Sequence, residues 1–117
     1  MSHNDNQMEA EIQRKNLKAP RITLDYINRV IEHRVTYRYD QPTGTTSTFC
    51  HAFLDDAFYL ATGRTACVSL ANFDAELGRK FAQQSACTLA RDKLFELEGY
   101  RLYAHLNSDT PGDFPHG

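Results

Sequence analysis

Thr65-Ala66-Cys67-Val68-Ser69-Leu70-Ala71-Asn72-Phe73-Asp74-Ala75-Glu76-Leu77-Gly78-Arg79-Lys80-Phe81-Ala82 is where this chain turns from strand to helix. The first residues end a strand, Val68 and Ser69 begin a turn, and a long helix follows. Ser69 is the expected N-cap, because its hydroxyl can accept a bond from a free N–H of the first turn. The helical spacing then runs to about Leu97. Gly99 is expected to break or kink the helix before Tyr100-Arg101-Leu102-Tyr103.

Upstream, Thr23 reads as the N-cap of a short helix that presents Leu24, Ile27, Val30 and Ile31 on one face and ends near Arg34. Val35 to Tyr39 alternates as a strand does, and Gln41-Pro42-Thr43-Gly44 turns the chain. A second strand spans about Thr45 to Leu54, with Asp55-Asp56 as the hairpin turn. A third runs from Phe58 to Thr62 and resumes near Ala66-Cys67. Consecutive strands with short turns pair antiparallel. The expected fold is therefore α+β: a small antiparallel meander of three to four strands, a short N-terminal helix, and a long C-terminal helix kinked near Gly99. Residues 22–106 form the domain, between a flexible arm (1–21) and a flexible tail (107–117).

The chain has 117 residues, enough for one domain with a modest private core. Hydrophobic content of 41% and charge of 24% are globular values. A net charge of −2 argues against a protein that coats nucleic acid, where affinity rests on neutralising phosphates. Cys50, Cys67 and Cys87 stand at no metal spacing. They read as small buried residues of a reducing cytoplasm rather than a disulfide framework. Residues 1–20 are polar and no apolar run reaches membrane length, so a soluble cytoplasmic protein is expected.

Two rows run along the main helix. Gly78, Ala82, Ala86 and Ala90 recur every four residues, and such a small-residue row lets another backbone approach closely. The partner is the sheet, the first helix or a second copy of the chain. Asn72, Glu76, Arg79, Lys80, Gln83, Gln84 and, further along, Arg91 make a polar row. It is either a solvated face with surface ion pairs or a ligand surface. Asn72 and Asp74 stand at the helix start, where free N–H groups attract anions; they either cap the helix or touch a ligand. Among the strand aromatics, one near that loop can stack on a base. No nucleotide loop, nucleophile elbow or metal-protease motif occurs, which fits a protein without catalytic residues, metal or cofactor.

Four blocks occur together in order. They are Ile22-Thr23-Leu24-Asp25-Tyr26-Ile27, Gly44-Thr45-Thr46 with Phe49-Cys50, Ala66-Cys67-Val68-Ser69 with Asn72 to Lys80, and Leu97-Glu98-Gly99-Tyr100. Over Ile22 to Tyr103 the chain resembles small tailed-phage proteins of the gene-49/gene-66 type. It departs from their pattern at Leu70-Ala71, and its helix between Ala82 and Leu97 is about one turn longer. The resemblance extends to phage Thoeris anti-defence proteins of the first type. It implies a non-enzymatic sponge for cyclic ADP-ribose isomers, and for cyclic oligonucleotides of CBASS. Such a sponge is a homo-oligomer, a hexamer among the candidates, with pockets between protomers in the cytoplasm of an infected bacterium. On this reading the ligand-binding set is Asn72, Asp74, Arg79, Arg91, Lys93, Arg101 and Phe49. A phage interaction protein that binds a host factor or nucleic acid is the alternative.

Overall fold

The computed structural model describes residues 3–15 and 19–108, and side chains from residue 6 onward within those spans. The elements are α1 (His3–Arg14), α2 (Leu24–Arg34), β1 (Val35–Asp40), β2 (Ser47–Leu54), β3 (Phe58–Ala66), a 3-10 turn (Leu70–Asn72) and α3 (Ala75–Leu106). This is the expected α+β arrangement. Most of the expected tail, from residue 109, lies outside the described residues.

Thr23 caps α2 as its position suggests: its backbone is extended, and its Oγ1 accepts from the Tyr26 amide at 3.1 Å. Ile27 and Val30 then point into the core. Preceding α2, within the segment expected as an arm, α1 forms three helical turns. It is fastened by Glu9, whose carboxylate takes the Arg21 guanidinium at 2.6 Å and the Leu24 amide at 3.3 Å.

The sheet is a three-stranded antiparallel meander in the order β1-β2-β3. Its β2–β3 turn places Asp55 and Asp56 at φ of 53° and 60°, with the Ala57 amide donating to the Leu54 carbonyl at 3.1 Å. Two consecutive left-handed residues match the natural twist of the flanking strands, and aspartate tolerates the conformation better than most residues. Phe53 pairs with Tyr59, but Ala52 pairs with Ala61, so Leu60 is an extra residue. That bulge explains why Leu60 and Ala61 are both buried despite being neighbours. β3 continues without interruption to Ala66, uniting what the sequence suggested as two pieces.

Among the described residues one sheet face is covered, and α3 covers most of it. Thr48, Cys50 and Ala52 of β2 point toward the helix, while Phe49, His51 and Phe53 point away. Cys50 and His51 therefore face opposite sides, as alternation requires. Beneath the helix, Gly63 sits so close that a Cβ there would lie 2.2 Å from the Ala86 amide nitrogen and 2.3 Å from the Ala82 carbonyl oxygen. Ala82, Ala86 and Ala90 are fully buried within the single chain. The small-residue row is thus the seat of α3 on its own sheet. Gly78 continues the row against the Thr48 side chain.

Two expectations about α3 need correction. Ser69 does not cap it: Leu70–Asn72 first form a 3-10 turn, for which Ser69 makes no side-chain cap bond. The true N-cap is Asp74, whose Oδ1 accepts from the Glu76 and Leu77 amides at 3.0 and 3.1 Å. Nor does the helix stop at Leu97; it runs through Gly99 to Leu106 as one element of 32 residues. A glycine costs only about 1 kcal/mol in a helix interior, less than the turns on either side contribute.

Candidate functional site

Lys80, Gln83, Gln84, Cys87, Thr88 and Arg91 follow the three- and four-residue spacing of one helix face, and they line an open cleft of about 570 Å³ on α3. Neighbouring elements fix its walls. From α2, Asn28 Oδ1 accepts from Arg91 Nε at 2.9 Å, which holds a half-buried guanidinium in place. The other arm of Arg91 lies 3.7 Å from Cys87 Sγ. From β1, the Tyr39 hydroxyl bonds Gln83 Oε1. Tyr37, on the same face of β1, stands behind Cys87; burial and its bond to that thiol raise its phenol well above the ordinary range. The Cys50 thiol beneath is pushed up to about 11, chiefly by burial.

Electrostatically this face gathers cations that lack ion-pair partners. Arg14, Arg21, Arg29, Arg34, Arg38, Lys93 and Arg101 each sit within 4 Å of a carboxylate. Among the described residues Lys15, Arg64, Arg79, Lys80 and Arg91 have no such partner, and the last three share one stretch of α3. Three cations within about three turns of one helix therefore stand with no carboxylate within 4 Å among the described residues, beside two amides and a hydroxyl. Such a surface can take an anion by charge-assisted bonds and a ribose or base edge by its amides.

The predicted residues do not converge in one protomer. Asn72 and Asp74 border a smaller cleft of about 230 Å³ with Phe73, Leu77 and Phe81. Its lining is mainly apolar, and the helix-start donors expected to hold a phosphate are already taken by the Asp74 carboxylate. Arg101 lies in a third cleft of about 320 Å³ with Ile22, Glu98 and His105, and its Nε is 3.3 Å from Glu98. At 1.5 Å per residue, Arg79 and Arg101 are separated by about 33 Å along α3, too far for one small ligand. Lys93 is paired with Glu96 at 3.2 Å. Phe49 pairs across the sheet with Arg64, on the face turned away from α3.

Asn28 and Tyr39 belong to the site but carry no signal of it in the sequence. Asn28 reaches Arg91 across 63 positions of sequence, and Tyr39 reaches Gln83 across 44. No local pattern announces such contacts, although Lys80, Gln83 and Gln84 were visible as part of the polar row. Cys50, Cys67 and Cys87 are free thiols. Among the described residues no group of three or more histidines, cysteines or carboxylates is placed to hold a metal ion, and no helix is long and apolar enough to cross a membrane.

No curated protein and no solved structure matched the chain. A family model does match, over residues 22–106, which takes in α2, the whole sheet, the cleft and all of α3. The protein belongs to the Phage protein (N4 Gp49/phage Sf6 gene 66) family.

Proposed function

We propose that this phage protein binds and sequesters cyclic nucleotide immune signals without cleaving them. Cyclic ADP-ribose isomers of Thoeris are the first candidates and cyclic oligonucleotides of CBASS the second, and the binding form is a homo-oligomer. The observation that carries the reading is the cleft of Lys80, Gln83, Gln84 and Arg91, whose cations lack carboxylate partners among the described residues. Its volume falls in the range of small-molecule sites. Lys80 and Arg91 suit phosphates, the glutamine amides suit ribose hydroxyls or a base edge, and Arg79 stands one turn away. Asn28 pre-orders the Arg91 guanidinium, which lowers the entropic cost of binding.

Titration calorimetry against cyclic ADP-ribose isomers and cyclic di- and trinucleotides tests the reading. Arg91→Gln and Lys80→Gln are each expected to weaken binding about tenfold or more, equivalent to about 1.4 kcal/mol, with the melting temperature retained. Asp74→Ala is the control: it removes a cap worth about 1 kcal/mol of stability and should leave affinity intact. Affinity lost only in Asp74→Ala would move the ligand to the smaller cleft beside Asn72. Ligand recovered by heating the complex should be chemically unchanged on chromatography; a linear product would mean an enzyme.

The alternative, an interaction protein for a host factor or nucleic acid, draws on the open sheet face. There Arg38 lies over the Phe53 ring at 4.9 Å and Tyr59 meets the same ring edge-on at 5.9 Å. Phe49 stands in the same strand. Bases can stack on such rings. Oligonucleotide binding that Phe49→Ala and Phe53→Ala abolish would favour it.

A further inference from the structure

Beyond the cleft, the outer side of α3 carries a stripe with an unusual symmetry. Leu89, Lys93, Glu96 and Tyr100 follow a four-three-four spacing, which keeps them on one line of the helix. Leu89 is 45% exposed and Tyr100 is 62% exposed. The side chains of Lys93 and Glu96 are 43% and 69% exposed. Among the described residues no element covers these positions, although the line adjoins the buried alanine row.

We infer that this stripe is a self-association surface, on which α3 pairs antiparallel with α3 of a second copy. The argument is that the line is complementary to its own reverse. With a twofold axis passing between residues 94 and 95, Leu89 lies against the partner's Tyr100 and Lys93 lies against the partner's Glu96. Each contact occurs twice, as an isologous interface requires. Two apolar contacts thus flank a central ring of two lysines and two glutamates with alternating sign. The Lys93–Glu96 pair within each helix, now 3.2 Å long, is shared across the axis rather than broken. A parallel pair would set lysine against lysine and glutamate against glutamate, so charge selects the antiparallel arrangement.

Arg91 lies about half a turn around the helix from this stripe, so pairing leaves the ligand cleft open to solvent. Lys93 accordingly serves assembly rather than ligand. From Leu89 to Tyr100 the seam is about 16 Å long. That is short for a protein interface, so a reversible dimer in the micromolar range is expected. The interface depends on no property of the cleft, and the ligand reading can fail without affecting it.

Sedimentation equilibrium of the full chain across micromolar concentrations tests the interface, with circular dichroism confirming that each variant keeps its helix. Lys93→Glu alone brings four carboxylates together and should weaken the dimer at least about tenfold; Glu96→Lys alone should do the same with four ammonium groups. The double variant Lys93→Glu/Glu96→Lys rebuilds the alternating ring and should dimerise within about twofold of the parent. A strict monomer, single reversals that leave the dimer unchanged, or a double variant that stays as weak as the singles would each overturn the inference.

Discussion

The first half of α3 is seated on the sheet and the second half runs beyond it, and the same residue type behaves differently in each. Between Gly78 and Ala90 every fourth residue is small because a strand lies directly beneath. Phe95 still packs on the core, but beyond it the helix borders the cleft beside Ile22, and Leu97, Tyr100, Tyr103 and Leu106 stay exposed. A small side chain in the seated half is a spatial requirement. In the overhanging half no such requirement applies, and glycine there is merely a weak helix former. Gly63 and Gly99 mark the two extremes: one has backbone within 2.3 Å of where a methyl would go, the other has nothing within 4 Å.

Gly63→Ala should produce the largest effect. The added methyl would strike the Ala82 carbonyl and the Ala86 amide, and main chain in the middle of a helix cannot step aside locally. A loss of about 3 kcal/mol or more is expected in urea denaturation, up to failure to fold. If the variant were as stable as the parent, α3 could not be seated as described.

Alkali probes the same seated half more gently. Cys50, paired with Gly63 beneath α3, has its thiol raised by burial from 9.0 to about 11. The thiolate is disfavoured only in the folded state. The stability the thiol protects is therefore complete below pH 9 and drains away as the pH rises to about 11, by roughly 2 kcal/mol. Tyr37 is shifted in the same direction. Cys50→Ala should flatten the fall in stability between pH 9 and 11; an unchanged slope would place the titration elsewhere.

The smallest effect, opposite in sign, belongs to the overhang. Gly99→Ala should raise stability by about 0.5–1 kcal/mol, since alanine loses less backbone freedom and meets no neighbour. Destabilisation on thermal melting would reveal a contact at Gly99 and erase the distinction between the halves.

What the sequence made legible follows from how local each signal is. The Thr23 cap, the strand alternation and the Asp55-Asp56 turn each depend on a few adjacent residues, and each was readable. The N-terminus of α3 was misplaced by five residues because Ser69 and Asp74 are both good caps. A 3-10 turn between them decides the matter, and its short range leaves little periodicity to detect. Gly99 reads as a break on propensity alone, yet the turns on either side outweigh its cost. The small-residue row was legible as a contact but not as to its partner, since Gly63 is 23 positions from Ala86. The polar row split for a similar reason. Asn28 and Tyr39 draw its later residues, Arg91 and Gln83, into a cleft, while at the helix start Asp74 turns inward to the backbone.

The Asp55-Asp56 turn has a consequence for the order of folding. Two non-glycine residues in left-handed conformation cost on the order of 1 kcal/mol each. What offsets that cost comes from the α2–β1 corner: Arg34 holds the Asp55 carboxylate, the Arg34 carbonyl accepts the Asp55 amide at 2.8 Å, and Thr36 and Arg38 hold Asp56. These ties span about twenty positions. The β2–β3 hairpin is therefore a poor independent nucleus, strained at its tip until the preceding helix and strand arrive. Helix, corner and hairpin should cross the folding barrier together, which gives this small sheet cooperativity that three short strands alone would lack.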